Sequence, residues 1–394
     1  MEAGGSMILD PHLHFSIAAL LTSWPTSIFS QDSTPAAEVH GLSLFVLMIT
    51  GAIFVGVSAL LAYAVVRYRC RPGDETEPPQ VFGSTQIELA WTIIPILIIV
   101  VLFLGTARVI FAVQDARKPP SALDVVVVGH QFWWEFRYPK YGVVTANELH
   151  VPWSDPKHPT PTFMKVTSAD VMHSFWVPRL AGKTDLLPNR VNEMWIDPHE
   201  VGMYLGQCAQ FCGPQHAKML LRVYVDTPAQ FQQWIANQQR LEESGTQSTV
   251  PANTQPNQGN AGGNEAAVAN STAPAAPPNS PATRGAIAQL KEVSASGGAS
   301  QEITPQQGRR VFEEQACINC HAIAGTVADG RYGPDLTHLM SRATIGSGAA
   351  DNNYANLLSW VTDPNDLKPG CLMPAMHLTD TENKQITAYL MTLH

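Results

Sequence analysis

Two short stretches of the sequence carry side chains that bind metals or cofactors. The first, "GQCAQFCGPQHAKM" (residues 206–219), places Cys208, Cys212, His216 and Met219 within twelve positions. A small disulfide, a zinc site and a copper site are the competing interpretations. A disulfide would leave His216 and Met219 unexplained. A thioether is a poor ligand for zinc and a good one for copper, so these residue types favour copper.

A further ligand is expected from a separate strand, and His173 in "SADVMHSFWVP" is the candidate. A lone histidine beside a strand is more often structural, but this one lies among Phe, Trp and Val upstream of the cysteines. Two thiolates rather than one favour two copper ions bridged by sulfur. Sharing one electron over two metals keeps the geometric change on reduction small, so that electron transfer is fast.

The second stretch, "CINCH", has the C-x-x-C-H pattern of covalent c-type haem attachment. Cys317 and Cys320 would form the thioether bonds, and His321 would bind the iron. Further along, "KPGCLMP" offers Met373 as the second axial ligand, and a soft methionine raises the haem potential. Met376 is the rival for this role.

The composition suits a membrane component that carries cofactors. Charged residues make up only 14% of the 394 residues and hydrophobic residues 45%, and the net charge of −9 argues against a nucleic-acid partner. The six cysteines form two local pairs and two singletons, which is not the framework of a small disulfide-rich protein.

Two uncharged runs predict membrane spans. Because about 20 apolar helical residues cross a bilayer core of about 30 Å, we expect a transmembrane hairpin over residues 41–113, with helices of about 41–66 and 89–111. Residues 1–40 contain no Lys or Arg, whereas arginines follow the first run directly. The positive-inside rule therefore places both termini, and everything after the second helix, outside.

Two segments are not expected to fold compactly. In residues 1–40 the apolar run "LHFSIAALL" lacks a preceding basic region, so either a signal sequence or an irregular exported segment fits. Between Thr246 and Thr283 the composition shifts to small and polar residues, with Glu265 as the only charge. Such a segment cannot bury enough apolar surface to offset its conformational entropy. We therefore expect a flexible linker over residues 241–302.

The exported remainder predicts two folded domains. Residues 114–240 contain β-branched and aromatic runs such as "LDVVVVGHQFWWEFRY", which predict an antiparallel β-sandwich or barrel closed by a short helix near residues 227–235. In residues 303–394, Thr304 with its following proline and Thr379 with a glutamate three residues later mark helix starts. This last part predicts a small all-α domain.

Taken together, residues 36–240 resemble subunit II of haem–copper cytochrome c oxidase. The resemblance rests on the hairpin, "ELAWTIIPIL", "GHQFWWEFRYP", "TSADVMHSFWVPRLAGKTD" and the cysteine stretch, in the family's order. It implies a cupredoxin-like β-sandwich with a dinuclear CuA centre, in which both thiolates bridge and each copper takes one histidine. The family's ligands match the side chains of His173, Cys208, Cys212, His216 and Met219 and the backbone carbonyl of Gln210.

Three further features follow from the resemblance. Gln210 stands where the family commonly has Glu, whose carboxylate also reaches a Mg²⁺ shared with subunit I; a Gln oxygen coordinates more weakly, which leaves the magnesium site open. Glu88 matches a proton-uptake residue, with a solvated helix flank as the alternative. Phe132, Trp133 and Trp134 match the aromatic patch near the copper where electrons arrive, with core packing as the alternative, and many relatives have Trp at position 132.

The appended haem domain resembles a class I cytochrome c, and the fusion resembles caa-type oxidases. This implies that electrons pass from the covalent haem to CuA and on to the haem and copper of subunit I, where dioxygen is reduced to water and protons are pumped. The implied partners are subunits I and III and an upstream donor such as a cytochrome bc complex or cytochrome c. The implied location is the inner (plasma) membrane, as a multi-pass protein with its copper and haem domains on the periplasmic face.

Other functions remain to be weighed against this one. A nitric oxide reductase can carry a similar copper subunit. A quinol oxidase subunit would keep the fold but lose the copper ligands, whereas all five ligand side chains are present here. A copper-delivery or anchoring protein would not need a tethered haem.

Overall fold

The structure is a computed structural model that describes residues 26–69, 73, 77, 80, 82–240 and 303–394. The chain divides into two compact units: residues 1–118 with 178–182, and residues 119–177 with 183–394. The predicted linker over 241–302 and the apolar run near the N-terminus lie outside the described residues.

The first unit contains two long helices, α1 (Thr34–Arg67) and α2 (Thr85–Gln114). Both are long and apolar enough to cross a membrane, and their apolar side chains are mostly exposed. They pack on each other where Gly105 faces the Phe45 ring. Helix α1 begins before the apolar run, in a polar stretch. Pro35 lies in its first turn, where proline favours the start of a helix.

The second unit begins with two five-stranded sheets. The first has the order β3 (Val143–Ala146), β2 (Trp133–Tyr138), β1 (Leu123–His130), β5 (Thr162–Ser168) and β8 (Asn192–Ile196). The second has the order β4 (Glu148–Pro152), β10 (Leu220–Asp226), β9 (Gly202–Cys208), β6 (His173–Trp176) and β7 (Thr184–Leu186). The expectation of purely antiparallel pairing is wrong. Strands β1 and β5 pair in parallel, and so do β4 and β10, because long connections separate them in the chain.

The core of the sandwich is aromatic. Trp134 and Phe175 are fully buried and meet edge to face, with ring centroids 5.5 Å apart. Burial of such side chains contributes roughly 2–3 kcal/mol each. Helix α3 (Pro228–Gln238) begins at a capping box formed by Thr227 and Gln230, and its buried face closes the sandwich. The predicted short helix is therefore confirmed.

The C-terminal domain is mainly helical. Its elements are α4 (Pro305–Glu314), α5 (Cys317–Cys320), a small hairpin of β11 (Thr344–Ile345) and β12 (Ala350–Asp351), α6 (Tyr354–Thr362), α7 (Pro364–Leu367) and α8 (Asp380–Leu390). Both predicted capping residues, Thr304 and Thr379, accept the expected backbone hydrogen bonds. Helices α4 and α8 pack so closely that a Cβ on Gly308 would lie 1.8 Å from the Gln385 carbonyl oxygen. The predicted fold class is confirmed: a two-helix hairpin, a β-sandwich and a small helical domain.

Candidate metal centre and haem site

The cysteine stretch connects β9 to β10 at one end of the second sheet. Cys208 ends β9 and pairs with Phe175 of β6, the strand that begins at His173. The Cys208 backbone N–H donates to the Met219 carbonyl (3.0 Å), and the Ala209 N–H donates to the Ser174 carbonyl (2.9 Å). The sheet therefore brings the separate histidine and the cysteine loop together, although 35 positions separate His173 from Cys208.

The predicted donor atoms surround the two thiols. The Sγ atoms of Cys208 and Cys212 lie 3.9 Å apart. The Nδ1 atom of His173 lies 3.9 Å from Cys208 Sγ, and the Nδ1 atom of His216 lies 3.9 Å from Cys212 Sγ. Met219 Sδ lies 3.9 Å from Cys212 Sγ. The sixth donor, the Gln210 carbonyl oxygen, lies 3.1 Å from Cys208 Sγ.

This arrangement favours one of the three chemistries. The 3.9 Å between the sulfur atoms is far from the ~2.05 Å of a disulfide, and both cysteines are free. The two imidazoles flank different thiols rather than one common point. Among the described residues, the group within 4.8 Å of one another contains His173, Cys208 and Cys212, without His216. Two thiols, two imidazoles, a thioether and a carbonyl fit two soft metal ions better than one tetrahedral zinc.

Asp170 orients the buried histidine. Its Oδ1 atom lies 2.8 Å from His173 Nε2, which leaves Nδ1 directed at the thiol. Burial by itself would lower the pKa of His173, but the hydrogen bonds and charge interactions with Asp170 and Cys208 together outweigh it and raise that pKa. Between the thiols, the hydrogen bond lowers the pKa of Cys208 and raises that of Cys212. Sequence reasoning missed Asp170, although an acid three residues before a candidate ligand is a usable signal.

The aromatic patch touches the cysteine loop through two contacts. The Nε2 atom of Gln131 donates to the Cys212 carbonyl at 2.6 Å. Gly213 has a φ of +132°, and a Cβ there would lie 2.9 Å from the Phe132 ring, so this position needs glycine both for its backbone and for the close approach. Gln131 was not predicted from the sequence, and its contact ties the backbone of a ligand loop to the residue before the patch.

The two tryptophans of the patch differ in surroundings. Trp134 is fully buried against Phe175, which favours the core-packing interpretation for this residue. Trp133 stacks on the His130 ring at a centroid distance of 4.1 Å, and His130 Nε2 lies 3.1 Å from Glu135 Oε2. Trp133 also lines a cavity shared with the C-terminal domain.

That cavity contains the predicted haem-binding residues. Two cavities, of about 220 and 130 Å³, share the walls Cys320, His321, Leu357, Trp360, Met373 and Pro374. Cys317 lines the smaller cavity, and one turn of α5 brings it to the side of Cys320. Phe132 and Trp133 of the sandwich close the larger cavity. Met373 lines both cavities, whereas Met376 lines only the smaller one.

The surroundings of His321 and Arg342 fit a haem. The Nδ1–H of His321 donates to the Pro334 carbonyl at 2.8 Å, which leaves Nε2 for a metal. A Cβ on Gly333 would lie 2.5 Å from the His321 ring, so the backbone at Gly333 packs directly against the edge of that ring. Burial lowers the pKa of the Arg342 guanidinium, and its Nε atom is buried without a hydrogen-bond partner on the cavity wall. A cationic group with an open donor fits an anionic propionate of a haem.

The remaining predicted residue, Glu88, lies in the first turn of α2 and is exposed. The predicted copper donors belong to the second unit and Glu88 to the first.

Comparisons with known proteins cover most of the chain. The family description "cytochrome C oxidase subunit II, transmembrane domain" matches residues 22–107, its periplasmic domain matches residues 155–225, and "cytochrome c" matches residues 305–394. A cytochrome c oxidase subunit 2 of Alkalihalophilus pseudofirmus is 29% identical over 95% of each chain. A probable cytochrome c oxidase subunit 2 of Rickettsia bellii is 30% identical over 61% of this chain and 93% of that protein.

The chain belongs to the cytochrome c oxidase subunit II family. This subunit II carries a C-terminal cytochrome c domain, as a caa-type fusion does. It is therefore a membrane-anchored subunit of a haem–copper oxidase that works with subunit I, and its domains imply copper and haem c in general. A quinol oxidase subunit 2 of Bacillus spizizenii is 32% identical over 50% of this chain and 60% of that protein.

Proposed function

We propose that this subunit II receives electrons for a respiratory cytochrome c oxidase. In this proposal, electrons pass from a covalently bound c-type haem to a dinuclear CuA centre and on to the haem and copper of subunit I, where dioxygen is reduced to water. The observation that carries the proposal is that one cavity is lined both by Cys320 and His321 of the C-x-x-C-H motif and by Phe132 and Trp133 of the aromatic patch. The Phe132 ring in turn lies against Gly213 of the cysteine loop.

The six donors would hold the copper. The thiolates of Cys208 and Cys212 would bridge two ions, and the imidazoles of His173 and His216 would each bind one of them. The softer or weaker outer donors would be Met219 Sδ and the Gln210 carbonyl. Asp170 keeps the His173 ring oriented, which pre-forms the site before metal arrives.

The cytochrome domain would hold the haem through Cys317, Cys320, His321 and Met373. Met373 is preferred over Met376 because it lines both halves of the cavity. When bound, haem c and CuA supply reversible one-electron transfer at potentials set by their ligands. Phe132 and Trp133, which line the larger cavity, are only 6% and 8% exposed and are therefore shielded from water.

The proposed topology follows the charge distribution. The arginines after α1 would face the cytoplasm, and both termini and the copper and haem domains would lie on the periplasmic side of the plasma membrane. Glu88, in the first turn of α2, would then lie at the cytoplasmic end, as proton uptake requires. The expected partners besides subunit I are subunit III and a donor such as a cytochrome bc complex or cytochrome c. A Mg²⁺ at the boundary with subunit I would depend on the Gln210 amide oxygen, a weaker ligand than a carboxylate.

Two other functions, those of a quinol oxidase subunit and of a nitric oxide reductase subunit, are distinguished from this one by copper binding and by the gas consumed. A quinol oxidase subunit needs no copper donors, and the geometry of all six donors argues against that function. A nitric oxide reductase could use the same subunit, and the gas consumed by the purified complex separates it from an oxidase. Oxygen consumption without nitric oxide reduction is the expected result.

The ligand assignment is tested in the purified complex by Cys212→Ser. A hydroxyl is a hard ligand that cannot replace a bridging thiolate. We expect the delocalised two-copper EPR signal to disappear while the haem absorption remains. Cys371→Ser, which changes a thiol outside the cluster, is the matched control and should leave both signals in place. A retained two-copper signal in Cys212→Ser would refute the assignment.

A further inference from the structure

The cytochrome domain contacts the edge of the second sheet through residues 342–348, which we call the docking loop. Glu148 lies at the start of the edge strand β4 and is only 3% exposed. Both of its carboxylate oxygens accept the Ala343 N–H at 3.0 Å, and Oε1 also accepts the Thr344 N–H at 3.1 Å. The hydrogen-bonding capacity of a buried carboxylate of the sandwich is thus satisfied by backbone amides of the other domain.

The neighbouring strand adds to this contact. Arg222 of β10 pairs in register with Glu148, and its Nη1 atom donates to the Thr344 hydroxyl at 2.7 Å. At the far end of the loop, the Ser347 hydroxyl donates to the Leu220 carbonyl at 2.6 Å. The docking loop is therefore held to two adjacent strands by side-chain hydrogen bonds along its length.

A second buried charge comes from the cytochrome domain. Lys368 is 2% exposed, and its Nζ atom donates to the Phe132 carbonyl at 3.0 Å and to the Gly346 carbonyl at 2.9 Å. One ammonium therefore joins the backbone of the aromatic patch to the docking loop. Burial lowers the pKa of Lys368 to about 8, which reflects how completely water is excluded there.

Buried charges discriminate strongly between one docked orientation of a domain and the others. A buried carboxylate or ammonium is tolerated where specific partners satisfy it, and removal of one partner leaves a costly unpaired group. Glu148 and Lys368 each find partners across the boundary between domains, and they lie at separate points of it. A loosely tethered domain that touched the sandwich in many orientations could not satisfy both at once.

We propose that Glu148 and Lys368 are positioning residues that lock the cytochrome domain onto the sandwich in one pose, with the haem cavity closed by Phe132 and Trp133. This rests on the proposed function for its purpose, since the lock holds the haem beside the copper donors. It also means that the resting subunit covers its own aromatic patch. A second, soluble cytochrome then reaches the haem domain and not the patch.

The lock is tested by oxidative labelling of tryptophan side chains in the full-length, cofactor-loaded complex. The variants are Glu148→Ala and Lys368→Met. Their controls are Glu193→Gln, an exposed acid on β8, and Lys384→Met on α8. Trp195 on β8, remote from the contact, is the internal reference. Loss of a charge-assisted hydrogen bond network should shift docking about 10-fold or more.

We expect Trp133 to be labelled more slowly than Trp195 in the unmodified subunit. Its labelling should rise at least about 5-fold in both lock variants, with no change in the controls or in Trp195. Labelling of Trp133 that stays unchanged in Glu148→Ala or in Lys368→Met would overturn the lock.

The same samples separate this inference from the proposed function. The two-copper EPR signal and the haem absorption should be unchanged in both lock variants, because neither residue touches a ligand atom. If these signals were missing from the unmodified complex, the proposed function would fail. If they were present while Trp133 was labelled as fast as Trp195, the lock alone would fail.

Discussion

At the scale of single residues, the six donor atoms around Cys208 and Cys212 make only weak contacts with one another, and their spacing suits metal ions. Each imidazole lies beside a different thiol at 3.9 Å, a separation that a metal ion between the atoms would bridge. The haem side follows the same logic, because the Nδ1–H of His321 is already committed to the Pro334 carbonyl. In both sites, hydrogen bonds from residues outside the ligand set fix the ligand atoms in advance.

The axial ligand of the haem gives a residue-scale prediction. Met373→Leu should remove the weak sulfur-to-iron absorption in the red and lower the haem potential, because a soft thioether stabilises the reduced iron. Optical spectra and a redox titration of the purified complex provide the measurement. Met376→Leu is the matched control and should change neither. The reverse outcome, with Met376→Leu losing the band, would make Met376 the ligand.

Glu135 gives a prediction of pH dependence. Burial by itself would raise the pKa of Glu135, but the hydrogen bonds and charge interactions with His130 and Arg137 together outweigh it and lower that pKa from its ordinary value. A carboxyl whose pKa is lowered in the folded state stabilises the fold at pH values above 4.5, the ordinary pKa of the group. This stabilisation is lost as the pH falls through the lowered pKa. Glu135→Gln should therefore lower the melting temperature at pH 7, and the difference should shrink below pH 4.5. A difference that stayed constant with pH would contradict the ion-pair account.

At the scale of elements, the pattern of the sequence predicts some strands and misses others. The runs that form β1, β2, β5, β8 and β10 are rich in β-branched and aromatic residues, so their composition predicts strands. Strand β9, "GMYLGQC", contains two glycines and was not predicted, although it ends in Cys208. The short edge strand β4, "ELHVP", has no run of β-branched or aromatic residues and was missed too. Parallel pairing of distant strands leaves no local signal at all.

The crossing of α4 and α8 gives an element-scale prediction. Because a Cβ on Gly308 would lie 1.8 Å from the Gln385 carbonyl oxygen, Gly308→Ala must push the two helices apart. We expect a loss of about 3 kcal/mol in the stability of the cytochrome domain, measured as an earlier thermal loss of the haem Soret signal. Gln306→Ala, an exposed position on the same helix, is the control and should shift the transition little. Equal melting of the two variants would rule out the tight crossing.

At the scale of the whole molecule, the three parts of the chain were predictable and their contacts were not. Hydropathy, strand patterns and the C-x-x-C-H motif can each be recognised within a short stretch of sequence. The hydrogen bonds between Glu148 and Thr344 span 196 positions, and the one from Lys368 to Phe132 spans 236. Neither could be read from one sequence, because nothing near Glu148 or Lys368 marks them as other than solvated charges.

The central claim is that electrons reach the copper through the fused haem domain. The docked domain covers Phe132 and Trp133, which are 6% and 8% exposed, so direct delivery by a soluble cytochrome is disfavoured. The haem domain is part of the same chain as the sandwich, so its docking needs no diffusing partner.

Truncation after Glu243 tests this claim most directly, with turnover by small-molecule reductants as the measurement. The truncated complex should keep its two-copper EPR signal and its membrane insertion, while turnover falls at least about 10-fold, because the lost domain was the route to copper. The retained EPR signal shows that the sandwich is intact. Undiminished turnover of the truncated complex with small-molecule reductants alone would contradict the account.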